Sequence, residues 1–559
     1  MSLLDTASLI VTPNGYKEGK LYSVIPSDGS GDMSVVRATT ATRVNSSGLV
    51  ELVPYNLVQY SEQFDNAWWL KFQANVTADN TTAPNGTTTA DKVIASTNGA
   101  AVVYRSETYL VSGVYNFSIY AKSGNQDKVY LEAYGVGGTA CSTNINLTTQ
   151  TIISQTNFTN INIENVGNGW FRISATFSNL GGSVVTFGFG MATSVSTNDF
   201  AYFWGGQLVE GSTAKDYQKT ETRLNIPRLD YSNGTCPSLL VEPQRTNVLQ
   251  RSQEFENAYW INNGVTITAN QTTAPDGTLT ADILNGVSGG FGVVRFSTWS
   301  ATNNAASCFA KKNTSNIFRI ANVTGTVGGV NFDLNSGVVS SVSAGFSATI
   351  EDFGNGWYRC TAVDTLGRTG TFSLGVTSAS ESIFIWGAQL ESGSYSTSYI
   401  PTTSASVTRN ADVIFKTGIS SLIGSTEGTI FLDYIWNNNA SDVIPIAVNG
   451  DGGKFIWFRL NGVQFYGNGG SLVFNHSPSN GTYNQRYKLA FVYGQNDFRV
   501  YMNGVLVASQ TSGTFSGAFN EILFTPIGST PYNDSTKHNA VALWKTRLTN
   551  DQLAQLTTI

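Results

Sequence analysis

Charge is what this chain has least of. Only 13% of its 559 residues are Asp, Glu, Lys or Arg, about half of the ~25% usual in globular proteins. The net charge is −6, and no Lys/Arg run stands out. A nucleic-acid binder needs cations to neutralise phosphates, so that class is excluded. No apolar run approaches ~18 residues, so no membrane-spanning helix is expected. The first residues, MSLLDTASLIVTPNGYKEGK, lack a basic start followed by an apolar stretch, so no secretion leader is expected.

Histidine and cysteine are scarce too. His476 and His538 sit in FNHSPSNG and DSTKHNAV, which read as surface loops. A Ser-His-Asp triad would need one of them beside a serine and an acid. HExxH, the P-loop and GxSxG are absent. So is ExDxxE on one strand, the pattern sought for a sandwich-type glycosidase. No catalytic residue is assigned. Cys141, Cys236, Cys308 and Cys360 are far apart and form no CxxC, which argues against zinc. SDGSGD (27–32) and NGDGGK (449–454) have the oxygens and glycines of calcium loops, but read equally well as turns. No metal or cofactor is assigned. No heptad pattern is present, so no coiled coil is expected.

In place of charge stand Asn, Thr, Ser and Gly, poor residues for helix interiors. They suit short strands joined by turns. Length alone points to three or four domains.

A repeat organises the chain. Residues 56–91 and 247–282 align without a gap, with 18 of 36 positions identical. Both contain TTAP(N/D)GT followed by TAD. Downstream, SIYAKSGN (118–125) faces CFAKKNTS (308–315), GNGWFRIS (167–174) faces GNGWYRCT (354–361), and FWGGQL (203–208) faces IWGAQL (385–390). Both copies close on a tyrosine, Tyr217 and Tyr399. Within each copy, runs such as VYNFSIYAK alternate apolar and polar residues, the period of a half-buried strand. An all-β antiparallel sandwich of about eight strands per copy is expected. Cys308 and Cys360 fall where the first copy has Ile119 and Ile173, so both read as core thiols.

The remainder is distinct. FRLNGVQF (458–465) and FRVYMNGVLV (498–507) each place Asn-Gly between alternating strands, a strong hairpin signal. TRLTNDQLAQL offers a Thr549/Gln552 capping box before a short helix. Residues 413–559 therefore read as a third sandwich. Residues 1–53 are too short for a core of their own and are expected to pack against a partner protein.

Aromatics are plentiful: 11 Trp, 24 Tyr and 31 Phe. Sugars pack C–H faces on such rings while nearby amides bind hydroxyls. Trp68 and Trp69 are adjacent and, in an extended segment, would point to opposite sides. Trp69 is matched by Trp260, as a core anchor would be. Trp68 is matched by Tyr259, so Trp68 and Tyr259 are the candidate carbohydrate-binding residues, with a second core position as the alternative.

The stretch N-L-x-x-Y-S-E-x-F-x-N-A-x-W, with the TTAPxGTxTAD that follows, resembles the carbohydrate-binding-like jelly-roll modules of tailed-bacteriophage virion proteins. So do PSLLVEPQRTNVL (237–249) and SYIPTTSASVTRNAD (398–412). VVRATTATRVNSSGLVELV (35–53) is similar to the attachment ends of phage head spikes and fibres. YKLAFVYGQNDFRVYMNGVLV (487–507) with LWKTRLTNDQLAQLTTI (543–559) resembles a concanavalin-like, laminin-G-like sandwich.

These resemblances imply five parts. They are an attachment segment (1–53), a jelly roll (54–220), a connector (221–246), a second jelly roll (247–412) and a concanavalin-like sandwich (413–559). They imply a non-enzymatic structural fibre or spike on the virion surface, assembled in the host cytoplasm and read first as a head (capsid) fibre. The alternative is a tail fibre recognising host surface polysaccharide, and a depolymerase is a further one. The implied partners are capsid or tail proteins through residues 1–53, other copies of the chain in a homo-oligomer such as a trimer, and host surface glycans.

Overall fold

The computed structural model describes residues 3–107, 113–134, 140–179, 185–287, 292–295, 303–322, 328–367, 370–437, 446–460, 462–478, 481–524 and 535–559. Within them the chain is built from β-strands, with one α-helix, Asn550–Thr557. It divides into two compact units. One comprises Pro54–Arg223 with Thr268–Ile283. The other comprises Met1–Val53, Leu224–Ile267 and Leu284–Ile559.

The first of these units is a jelly-roll-like sandwich of two six-stranded sheets. One sheet runs Thr159–Gly167, Trp170–Asn179, Gly113–Ser123, Phe200–Glu210, Ala90–Ala95, Ala74–Thr81. The other runs Thr151–Thr156, Ala140–Asn146, Lys128–Tyr134, Val185–Val195, Gly99–Glu107, Leu70–Phe72. The apolar half of each alternating strand meets the other sheet. Phe117 lies 5.4 Å from Phe187, and Phe203 lies 4.9 Å from Phe189. The remaining unit contains the second copy apart from Thr268–Ile283, and there Asn304–Lys312 lies between Ser382–Ser392 and Trp357–Asp364. Its register repeats the first. Ile119 stands opposite Ile173, and Cys308 opposite Cys360, both thiols fully buried. Burial pushes both thiols well above their ordinary pKa, the behaviour of packing groups.

The same unit contains a long sheet that takes in strands of residues 1–53. Strand Leu9–Lys17 pairs with Thr536–Trp544, placing Leu9 opposite Leu543 and Val11 opposite Val541. Met33–Val36 pairs with Val413–Thr417, placing Val35 opposite Ile414. Leu9, Val11, Leu21, Met33 and Val35 share one core with Ile430, Leu432, Phe491 and Leu543. The segment does lack a core of its own, and within this chain it shares that of the C-terminal strands.

Other local signals behave as their chemistry suggests. Asn503 and Gly504 both take positive φ between Asp497–Met502 and Val505–Gln510, which pair as a hairpin. Phe455–Arg459 pairs with Gly462–Tyr466, while Asn461 of the same expected turn lies outside the described residues. Thr549 accepts from the Gln552 amide, and Gln552 Oε1 accepts from the Thr549 amide, closing the capping box. The histidines differ from expectation. His476 ends the strand Leu472–His476. His538 is buried in Thr536–Trp544, stacked 4.9 Å from Phe524 and 2.9 Å from Thr536 Oγ1. The polar sequence around His538 mimics a loop, yet pairing along Thr536–Trp544 carries His538 into the core.

A buried ionic cluster ties distant segments of this unit together. Arg37 and Arg228 both hold Asp412. Arg228 and Arg409 each lie 2.7 Å from Glu242. The Ser398 hydroxyl is within 2.7 Å of both Arg228 and Glu242. Burial alone would raise Glu242, but the guanidiniums of Arg409 and Arg228 outweigh it and hold the carboxyl well below its usual range. The same balance lowers Asp412.

Three outcomes follow from these contacts. Leu21→Ala should cost about 2–5 kcal/mol, read as a lower denaturant midpoint. A 413–559 fragment, deprived of the N-terminal strands, should lack the dispersed amide spectrum of the full chain. Stability should fall in two acid steps. Burial lowers His538 from 6.5 to about 3, so the stability gained by keeping it neutral is complete above about pH 6.5 and is lost as pH falls towards 3. The Glu242 and Asp412 contribution is present above their ordinary carboxylate range and fades below about pH 4.5. In Tm measured from pH 7 to 3, His538→Gln should flatten the first step and leave the second.

Candidate functional site

The repeated motif residues turn out to be wiring. Asn56 donates to Gly206 O and Gln218 O and accepts from the Val58 and Leu208 amides. Asn247 repeats this with Ala388, Ile400, Leu249 and Leu390. Ser61 bonds the Tyr217 hydroxyl at 2.8 Å, and Ser252 bonds that of Tyr399 at 2.6 Å. Asp91 of the first TAD accepts from the Phe64 and Asp79 amides. Burial raises this carboxyl to about 7. Each module entrance is thus pinned to its exit, so the motif repeats without implying a ligand.

The opening stretch is a series of turns rather than an extended segment. The Trp68 amide donates to Asn66 Oδ1 and the Trp69 amide to Asn66 O. The two indoles therefore pack edge to face, 4.9 Å apart, instead of pointing to opposite sides. Trp68 is half-buried, with the Arg105 guanidinium 4.8 Å over its ring. Tyr259 has the same local wiring, its amide donating to Asn257 Oδ1, and packs against the second module's core. The two lie in separate units, and each borders its own core.

A more open arrangement lies on the outward side of the first module's second sheet. Along Lys128–Tyr134, the residues Val129, Leu131 and Ala133 face inward, leaving Tyr130, Glu132 and Tyr134 on the opposite face. Glu132 stands opposite Gly188, Gly188 opposite Tyr104, and Tyr104 opposite Leu70. Tyr130 stands opposite Gly190 on one side and Asn144 on the other. The glycine strand thus forms a floor between the Tyr130/Glu132 strand and the Tyr104 strand, whose backbones are about 10 Å apart across two strand spacings, and the Glu132 carboxylate leans over it. A Cβ on Gly188 would lie 3.1 Å from Glu132 Oε1 and 2.8 Å from Tyr104 Cβ. One on Gly190 would lie 2.0 Å from the Ala101 carbonyl.

The walls are polar and oriented. The Tyr134 hydroxyl donates to Glu132 Oε2 at 3.1 Å, and Tyr130 also bonds this carboxylate. Burial raises Glu132, and its tyrosine hydrogen bonds only partly oppose that. Tyr130 is raised by burial and by the adjacent carboxylate. Asn144 accepts from Thr193 Oγ1 and donates to Ser154 Oγ. Beyond Tyr104, Leu70 and Phe72 are 41% and 52% exposed. Trp68 lies on the other side of this sheet. Its Arg105 neighbour is paired with the inward-facing Phe187, and alternation puts Tyr104 on the opposite face. Neither Tyr130 nor Glu132 was singled out from the sequence, although KVYLEAY alternates with two tyrosines and an acid on its non-aliphatic phase.

The second module does not reproduce the cluster. By register, Arg319 opposite Gly375 takes the place of Tyr130 opposite Gly190, and Ala321 opposite Ser373 that of Glu132 opposite Gly188. The candidate calcium loops are occupied by their own bonds. Asp32 Oδ1 accepts from the Ser23 amide, and Asp451 from Asn520.

No family model matches the chain, and no curated protein matches it. Solved structures are similar over 26% of its length. They include domain 4 of AbnA, a GH43 extracellular arabinanase from Geobacillus stearothermophilus in complex with arabinotriose, at 17% identity over 73% of that chain (TM-score 0.23). The binding domain of botulinum neurotoxin serotype G is similar at 14% identity over 39% of that chain (TM-score 0.22). The NanB sialidase of Streptococcus pneumoniae is similar at 17% identity over 26% of that chain (TM-score 0.22).

Gly190→Ala should lower the first module's stability by about 1–3 kcal/mol, because the added methyl has no room against the neighbouring strand. Tyr130→Phe should leave it within about 1 kcal/mol, since only one of the two tyrosine hydroxyl bonds to Glu132 is lost and that of Tyr134 remains. Thermal unfolding followed by circular dichroism separates the two.

Proposed function

We propose that this chain is a non-enzymatic adhesion protein that binds glycans on the open face of its first jelly-roll module. The observation that carries the reading is the glycine-floored trough between Tyr104 and the Tyr130–Glu132–Tyr134 wall. Aromatic rings offer surfaces for sugar C–H groups, and the carboxylate, hydroxyls and Asn144 amide offer partners for sugar hydroxyls. The trough's two walls hold one carboxylate, whereas glycoside hydrolysis ordinarily uses two. Trp68 and Tyr259 are the less favoured platform, because each packs against its own core and Arg105 covers the Trp68 ring.

The finer reading is a fibre or spike on a phage virion, on the head in preference to the tail. It is supported by the resemblance of 56–91, 237–249 and 398–412 to virion modules. Residues 1–53 would then dock through outward side chains such as Tyr22, Val24 and Val36, which are 37–47% exposed. Weak sites repeated in a symmetric oligomer such as a trimer would act together by effective concentration.

Two measurements test this. In a glycan array with the full-length protein, Tyr130→Ala/Tyr134→Ala should weaken any positive signal about ten-fold, the loss of ~1.4 kcal/mol. An unchanged signal places binding elsewhere. Gold-labelled antibody to the chain, imaged on phage particles, should decorate the capsid. Label at the tail makes host recognition the role, and unlabelled particles remove the virion reading.

A further inference from the structure

We infer a second carbohydrate-binding surface, on the outer face of the C-terminal sheet, that takes an uncharged polysaccharide chain. It shares with the proposed adhesion the premise of a glycan ligand but uses none of the same residues.

The surface is defined by register. Across adjacent strands, Phe415 stands opposite Leu523, Leu523 opposite Ala447, Ala447 opposite Trp457, Trp457 opposite Gln464, and Gln464 opposite Asn475. One pleat along, Thr417 stands opposite Glu521, Glu521 opposite Asn449, Asn449 opposite Phe455, Phe455 opposite Tyr466, and Tyr466 opposite Leu472. The alternate residues Ile456, Phe458, Val463 and Phe465 fill the core on the other side. The two rows therefore share the outer face. Leu523 and Ala447 in the first row are buried, with Trp457 packed against them, so the open part lies on the strands Phe455–Arg459, Gly462–Tyr466 and Leu472–His476, two strand spacings or about 10 Å across.

Phe455, Trp457 and Tyr466 form a half-exposed aromatic group, with ring centroids 4.3, 4.5 and 5.5 Å apart. Their burial by a ligand would remove apolar surface from water, which the sandwich core does not require of them. Leu472, at the end of the row, is 55% exposed. Amides flank the rings. Gln464 Nε2 donates to Asn475 Oδ1, and Asn449 Nδ2 donates to Glu521 Oε1 at 2.7 Å.

Charge selects the occupant. The two rows hold a single ionisable carboxylate, Glu521, already satisfied by Asn449, and no cation. A polyanion would meet Glu521 as a like charge and only Arg459, one pleat beyond Trp457 at the margin of the rows, as a counter-charge. A peptide strand would add at the end strand Leu472–His476, whereas the aromatic rings stand on the face of the two strands behind it. A neutral glycan combines C–H faces for the rings with hydroxyls for the amides and needs no compensating charge.

The test is affinity electrophoresis of full-length protein in gels containing hydroxyethylcellulose, mannan, dextran or linear arabinan, with alginate as the polyanion. The expected result is retardation by at least one neutral polymer. Trp457→Ala/Tyr466→Ala should reduce its apparent affinity at least five-fold, and Tyr130→Ala/Tyr134→Ala should leave a measurable part. Gln464→Ala/Asn475→Ala, which leaves the aromatic group intact, should weaken it as well and carries the test if the aromatic variant misfolds.

Retardation abolished by the Tyr130/Tyr134 changes and untouched by both C-terminal variants overturns this surface while sustaining the first-module site. Retardation by alginate alone overturns the choice of a neutral ligand. A change of sedimenting mass in Trp457→Ala/Tyr466→Ala would make the face a contact between copies and overturn the proposal. Absence of retardation in every neutral polymer overturns it too, and glycan-array binding by the same sample would show that the first-module reading survives.

Discussion

Arg228 is fully buried between two carboxylates, and those carboxylates come from distant parts of the chain. Glu242 lies in the connector and Asp412 at the second module's exit. Arg37, from the N-terminal strands, and Arg409 complete the group. A buried guanidinium is costly unless paired, and removing one partner leaves a buried charge that costs about 3–5 kcal/mol. The cluster therefore acts as a condition on assembly. The N-terminal segment, the connector and the module exit must all be in place before any one of them is electrically satisfied. The apolar core beneath the N-terminal strands supplies free energy without direction, while these charges specify which segments meet.

The same logic governs the modules on a smaller scale. Asn56 and Asn247 each satisfy four backbone groups that turns leave unpaired. Each asparagine spans entrance and exit, so a module closes on itself. Residues that look like a functional signature because they recur are then accounted for by backbone hydrogen bonding. What varies between copies is the outer face. One copy carries Tyr130 and Glu132, while the other has Arg319 and Ala321 at the matching register. Duplication preserved the scaffold and left the exposed face free to diverge.

Glycine has a specific place in that divergence. Gly188 and Gly190 lie where any side chain would collide with the neighbouring strand or fill the trough. Omission of a side chain at Gly188 leaves room that the Glu132 carboxylate enters, its Oε1 3.1 Å from where a Cβ would stand. The C-terminal face achieves a comparable display differently, through aromatic residues at positions 455, 457 and 466 standing above a complete core.

The sequence by itself determined the all-β class, the duplication, the Asn-Gly hairpin and the Thr549/Gln552 cap. Each depends on residues close in the chain, on strand alternation, or on internal identity. The half-exposed aromatic at Trp68 was legible as a repeated aromatic, but its packing under Arg105 was not. Only the tertiary structure decided that residues 1–53 complete the C-terminal sheet, that His538 is buried, and that Tyr130, Glu132 and Tyr104 share one trough. The physical reason is register. A strand's own sequence says which side chains share a face, but its neighbours across the sheet come from positions tens or hundreds of residues away. Those pairings settle whether a face is buried, lined with charge or open to a ligand.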